Sequence, residues 1–303
     1  MMLRIALLVT LLFASLIPTV IYAQDDATKP PIPWILSQQN DNGGWSDGFT
    51  EGSGAGITVD VLIALWAAGV DLTHLDPSPL DYLKNYANLN ANLLSPGLAA
   101  KLTLAAVLYD QDPTSFSSLN LLDIMTQHPS EVGQYSQTIF EHCLILVALH
   151  AAQEPIPSSA VQFIEDNAQD DGGWGFASDS PSDTNTTAVC LQALIGVGYT
   201  GGAVDNGLAY LRSLQNPDGG WMFTKPSEFT SESDAASTAM VIMTLTAARE
   251  DLNTWNNPQT ALLDFQTENG AFDFGAGVSP DYRLWATTQA IPALAGVTWL
   301  DIK

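Results

Sequence analysis

Basic residues are scarce. Nine Lys and Arg stand against 33 Asp and Glu, giving a formal charge of −24 over 303 residues. So acidic a surface repels nucleic acid and anionic lipid, and neither is expected as a partner. Histidine is equally sparse: His74, His128, His142 and His150 form no ligand-spaced set. The one adjacent Cys–His pair, His142-Cys143, places its side chains about 100° apart on a helix, so they cannot readily share a metal. The acidic loops "NDNGGWSDG" and "QDDGG" lack EF-hand spacing and read as turns. No nucleotide loop and no nucleophile triad is visible, and neither metal nor other cofactor is expected. The two cysteines, Cys143 and Cys190, fall mid-helix in "EHCLILVAL" and "TAVCLQAL". They read as buried thiols, with a bridge open to them if neighbouring helices bring their Cα atoms within about 7 Å. Apolar residues, by contrast, make up 46% of the chain, enough for a sizeable core.

The chain opens "MMLRIALLVTLLFASLIPTVIYAQDD". Arg4 supplies the positive start, an apolar run covers Ile5 to Tyr22, and Ala23 ends it with Ile21 at the minus-three position. Residues 1–23 are expected to be an export signal cleaved before Gln24, leaving residues 24–303 as one domain in the secreted or cell-envelope space. The rival is an uncleaved anchor, because the run is nearly long enough to span a bilayer. Membrane contact is expected only through this segment.

One turn recurs. "QQNDNGGW" ends at Trp45, "NAQDDGGW" at Trp174 and "QNPDGGW" at Trp221, with weaker copies around Gly133 and Gly270. Gly172 and Gly219 lie 47 residues apart, a period in the range of helical repeats. Each unit holds an amphipathic helix and then one that is apolar nearly all round. "AVDNGLAYLRSLQ" sets Leu208, Leu211 and Leu214 on one face, whereas "TAVCLQALIGVG" and "TAMVIMTLTAA" have no polar face and must be buried on every side. The first helices are expected to begin near Pro33, Pro79, Ser115, Ser158, Val204 and Pro258, with Ser158 and Asn257 as caps. The second are expected near Gly56, Gly97, Tyr135, Thr184, Ala235 and Arg283. Six such pairs predict an all-α (α/α)6 toroid of two concentric rings of six helices. An open solenoid would expose the apolar helices.

Within the repeated turn, Asp-Gly-Gly supplies turn chemistry and positive φ. Gln215 can bond freed carbonyls, and Trp221 can pack onto the next outer helix. Trp45, Trp174 and Trp221 are therefore expected to be structural. Asp183 and Asp234 are expected to cap inner helices, with Asp281 repeating the role.

"QNPDGGW", paired with "SDTNTTAVCLQAL" and "SDAASTAMVIMTL", resembles the QW motif of the terpenoid cyclase and protein prenyltransferase superfamily. The likeness covers residues 30–297. It closely resembles secreted bacterial proteins with prenyltransferase/squalene-oxidase repeats, and resembles more distantly the α-domain of vitamin B12 carriers. It implies the same toroid. Its class II cyclases protonate an alkene from the middle Asp of DxDDTA. Here the matching stretch, Asp183-Thr184-Asn185-Thr186-Thr187-Ala188, carries Asn185 at that place and Thr186 after it, and an amide cannot supply the proton.

The leading expectation is a binding protein that holds an apolar or amphipathic small molecule (terpenoid, lipid-like or corrinoid) at the mouth of the lumen. Inner-helix starts supply the candidate lining: Tyr135, Thr138, Glu141, His142, Asn185, Thr186, Ser237, Tyr282 and Trp285. The alternatives are a cyclase-like enzyme with a displaced acid and a structural or protein-interaction module. A glycosidase would need two carboxylates from Asp60, Glu141, Asp183 and Asp234. The reactive GCGEQ of toroidal thioester domains is absent.

Overall fold

The computed structural model describes residues 31–49, 51–127, 133–225 and 232–303. The expected export signal and His128 lie outside them. Among the described residues no helix is long and apolar enough to cross a membrane.

Among the described residues, twelve α-helices alternate between two rings. The outer ring holds α1 (Pro31–Ser37), α3 (Pro79–Leu89), α5 (Leu121–Thr126), α7 (Ser158–Asp166), α9 (Ala203–Leu214) and α11 (Pro258–Leu263). The inner ring holds α2 (Ala55–Ala67), α4 (Pro96–Leu108), α6 (Ile139–Ala151), α8 (Thr184–Gly196), α10 (Ala235–Ala247) and α12 (Arg283–Ala295). Each inner helix packs on the next, and α12 returns to α2, so the ring is closed. Closure lets helices without a polar face bury every side, which an open array could not do. The fold is the all-α toroid that the alternation predicts.

The repeated turn is a recurrent hydrogen-bond unit. The indole N–H of Trp45, Trp174 and Trp221 donates to the carbonyl of Ile35, Ile164 and Leu211, at 2.7–2.8 Å. Their backbone N–H groups donate to Thr58, Thr187 and Thr238 on the following inner helix. Asn42, Asp171 and Asp218 each accept from the backbone N–H of the second glycine and from a serine hydroxyl on the returning strand. At Trp174 that return is a two-residue antiparallel ladder, β1 (Trp174–Gly175) with β2 (Ser182–Asp183). The first glycine is required twice over. Gly43, Gly172 and Gly219 have φ between 87° and 95°, and each lies against a backbone carbonyl at the next outer helix. A Cβ on Gly172 would sit 2.7 Å from the Asn206 oxygen.

Several boundaries differ from expectation. α5 begins at Leu121, not Ser115: Asp112 caps a short 3-10 turn over Pro113–Ser115, and Asn120 then caps the helix. α6 begins at Ile139, four residues after Tyr135, under Thr138. Ser158 is the first residue of α7 and makes no side-chain cap, and Asn257 makes none for α11. Gln215 does not serve its own helix end. It donates to the Gly219 carbonyl and to Trp255 of the next repeat. Cys143 and Cys190 are not free thiols. Adjacent α6 and α8 bring their Cα atoms to 4.9 Å, and they form a disulfide.

Candidate functional site

All six inner helices start at one end of the ring. Asp183 caps α8 by accepting from the Thr186 N–H at 2.7 Å, and Asp234 caps α10 through the Ser237 N–H at 2.7 Å. Gly54 stands at the corresponding place before α2 and leaves that helix without a side-chain cap. Asp281 does not cap α12. It lies in a 3-10 turn bonded to Ser279, and the helix follows directly from Tyr282.

Burial pushes both capping carboxylates up to about 6, outweighing the backbone N–H groups that favour their charged forms. A carboxyl raised above its unfolded value stabilises the fold when protonated, and that contribution is lost as pH rises through about 6. Asparagine caps equally well and carries no charge. Asp183→Asn is therefore expected to gain stability relative to the parent between about pH 5 and pH 7.5, by on the order of 1 kcal/mol. Urea unfolding across that range checks it, and a stability difference that is flat with pH would contradict it.

Below the caps lies a cavity of about 320 Å³. Its wall follows a simple rule. The second and sixth residues of the inner helices face inward: Phe140 and Leu144 on α6, Ala236 and Met240 on α10, and one helical turn into α2 and α4, Asp60 and Lys101. On α8 the inward pair is Asn185 and Thr186, and on α12, shifted by one, Trp285 and Gln289. Spacing of four keeps a side chain on one helix face. Phe176 and Phe223 complete the rim, each two residues beyond a motif tryptophan, and Trp299 of the C-terminal turn packs below. A side chamber of about 260 Å³ opens between Asp60, Lys101 and Trp285 and runs out to Phe49. Phe49, Phe176, Phe223 and Trp285 are the exposed aromatic side chains among the described residues, and all lie at this mouth.

Polar groups are few. Lys101 Nζ reaches both oxygens of Asp60, at 2.8 and 2.7 Å. Asn185 Oδ1, Thr186 Oγ1 and Gln289 Oε1 are buried with no hydrogen-bond partner. Asp60 is the one carboxylate among the described residues lining the main cavity, and it is ion-paired; Asp47 lines the side chamber.

The structure divides the candidate set. Asn185, Thr186 and Trp285 line the cavity. Tyr135, Thr138 and Glu141 line a separate polar depression beside the start of α4, where Glu141 accepts from Ser136. Tyr282 sits at the rim between Phe49 and Phe274. His142 points outward. It accepts from the Tyr135 N–H, its other nitrogen lies 2.9 Å from the Ala160 carbonyl on α7, and burial holds it down at about 4. Ser237 is buried and donates to Asp234. Both occupy helix positions that turn away from the lumen. Of the four carboxylates weighed for a glycosidase, only Asp60 lines the cavity, so no pair is assembled there. Phe176 and Phe223 were missed by sequence reasoning, although their fixed offset from the motif tryptophan was available.

No curated protein matches the chain in a sequence search. Residues 138–282 match the family model described as prenyltransferase alpha-alpha toroid domain. Among solved structures, a type II terpene cyclase from Scytonema, in complex with geranylgeranyl dihydroxybenzoate, aligns at 12% identity over 90% of this chain and 96% of its own, with a TM-score of 0.63. The Candida albicans protein geranylgeranyltransferase-I complexed with GGPP aligns at 14% identity over 79% and 83%, with a TM-score of 0.58. An unsaturated glucuronyl hydrolase from Bacillus sp. GL1 aligns at 14% identity over 84% and 86%, with a TM-score of 0.55. Identities this low speak for the fold alone. The chain therefore has the α/α toroid fold, similar to that of these structures, and residues 138–282 match the prenyltransferase alpha-alpha toroid model.

Proposed function

We propose that this is a secreted, non-catalytic toroid that holds an apolar or amphipathic small molecule in the mouth of its lumen. The observation that carries the reading is the cavity itself, walled by Phe140, Leu144, Phe176, Phe223, Met240 and Trp285. Such a wall left against water costs about 3 kcal/mol at about 25 cal/mol per Å², and a bound ligand offsets that cost. The volume suits a molecule of drug size, terpenoid or lipid-like. Two toroids of the same fold hold prenyl-bearing ligands, which supports this chemical class.

The non-catalytic part rests on residues. Asn185 stands where the resemblance places the cyclase acid, and Asp60 is tied to Lys101. A displaced acid would need an unpaired carboxylate in the wall. Export is supported by the disulfide, which persists in oxidising compartments.

Native mass spectrometry of protein from its own host is expected to show a co-purifying small molecule. Trp285→Ala is expected to weaken its retention about tenfold or more, because a large aromatic contact is removed. The melting temperature should stay close to the parent's, since Trp285 is 41% exposed. If no terpenoid or lipid binds the parent below about millimolar, the reading fails and the interaction-module alternative takes its place.

A further inference from the structure

We propose that the ligand is neutral and carries a hydroxyl head group, which Asn185 and Gln289 read. The inference rests on the lumen-binding reading above and deepens it.

Charge excludes a charged head group first. Asp60 and Lys101 are the ionic side chains among the described residues that line the main cavity, and they neutralise one another through two hydrogen bonds. A carboxylate, diphosphate or ammonium entering the cavity would meet no free counter-charge, and an unpaired charge in an apolar site is strongly disfavoured. Diphosphates are held by several arginines or lysines, whose charge-assisted bonds supply the affinity. Lys101 alone, already engaged, cannot meet that demand.

A plain hydrocarbon fits poorly too. Gln289 is 7% exposed, lines the cavity, and leaves Oε1 without a partner. Asn185 leaves Oδ1 in the same condition on the same wall. Buried polar atoms in native structures are almost always bonded. With Thr186 Oγ1, also unpartnered in the lining, three orphans on one apolar wall mark where a ligand supplies the missing partners. A hydroxyl both donates and accepts, so it satisfies a carboxamide whichever way the amide is turned. A ketone or ether can only accept, and leaves the two carboxamide oxygens orphaned. The apolar tail then lies against Phe140, Leu144, Met240 and Trp299.

Three probes with one carbon skeleton test this: farnesol, farnesyl diphosphate and β-farnesene, titrated against the intact protein by the fluorescence of the tryptophans that line the cavity. Farnesol is expected to bind at least tenfold more tightly than either of the others, because a site built for a hydroxyl discriminates against analogues lacking it. The Asn185→Leu, Gln289→Leu double variant is expected to bring farnesol and β-farnesene within about twofold of each other, with β-farnesene no weaker than in the parent. Diphosphate binding as tight as the alcohol, or equal binding of alcohol and hydrocarbon by the parent, overturns the hydroxyl assignment and leaves the lumen reading standing. A preference that survives in the double variant overturns the roles of Asn185 and Gln289. If none of the three probes binds the parent, the lumen reading falls and takes this inference with it. The comparison on the parent protein decides the head group even where the double variant fails to fold.

Discussion

Trp221→Ala is expected to lose roughly 3–5 kcal/mol of stability, the range for deleting a large buried aromatic. Trp221 is completely buried, with its ring centroid 6.1 Å from that of Trp255 in the next repeat. Truncation removes that contact, opens a void, and strips the Leu211 carbonyl of its indole donor. Trp255 is itself clasped from outside by Arg212, whose guanidinium stands 3.6 Å from the ring centroid. The ring therefore cannot easily collapse into the space. For a chain of this size the melting temperature should fall by on the order of 10 °C. Trp221→Phe keeps most of the ring packing but loses the hydrogen bond and part of the volume, so its penalty should be smaller, near 1–2 kcal/mol. Chemical denaturation of the two variants separates packing from bonding. A Trp221→Ala protein as stable as the parent but unable to bind ligand would move this tryptophan from scaffold to site.

Replacing both Cys143 and Cys190 by alanine is expected to cost about 4 kcal/mol, the loop-closure value for a link across 47 residues. Both sulfurs are buried between neighbouring inner helices, α6 and α8. The bridge therefore joins two of the staves that carry the cavity wall, Leu144 on one and Asn185 on the other. Urea unfolding of the oxidised parent and the double variant measures the difference. Equal midpoints and slopes would show that the link adds nothing to the fold.

The architecture was legible because it is written in period and caps. An amphipathic helix followed by one apolar all round, repeated, leaves few arrangements that bury both. The Asp-Gly-Gly turn and the capping aspartates mark where elements change. Where the marks were ambiguous, the reading slipped. The Asp112 segment resembles a helix start yet closes only a single 3-10 turn. Asp281 has the composition of a cap but sits too early, with two residues of 3-10 turn leading straight into α12. The cavity wall was legible only in part, for a physical reason. A helix without a polar stripe does not announce which face looks inward, and only the closed ring fixes its rotation. His142 and Ser237 lie at helix starts, as sought, but on faces turned outward or toward a neighbour. The aromatic rim was hidden for another reason: Phe176 and Phe223 lie in turns, outside any helical period.

The three backbone links between neighbouring repeats carry a consequence for how the ring comes apart. The first N–H of α6, α8 and α10 donates to the carbonyl of Phe176, Phe223 and Phe274 respectively, each in the following unit. Linear repeat arrays unravel from their ends, because a terminal unit has one neighbour and the least to lose. Here α12 packs on α2, so no inner helix is terminal. Loss of any one unit breaks two inner-helix interfaces at once and wets the flanks of both neighbours. Partial unfolding thus carries nearly the whole penalty of complete unfolding, and the barrel melts as a single stave-tight cask rather than fraying unit by unit.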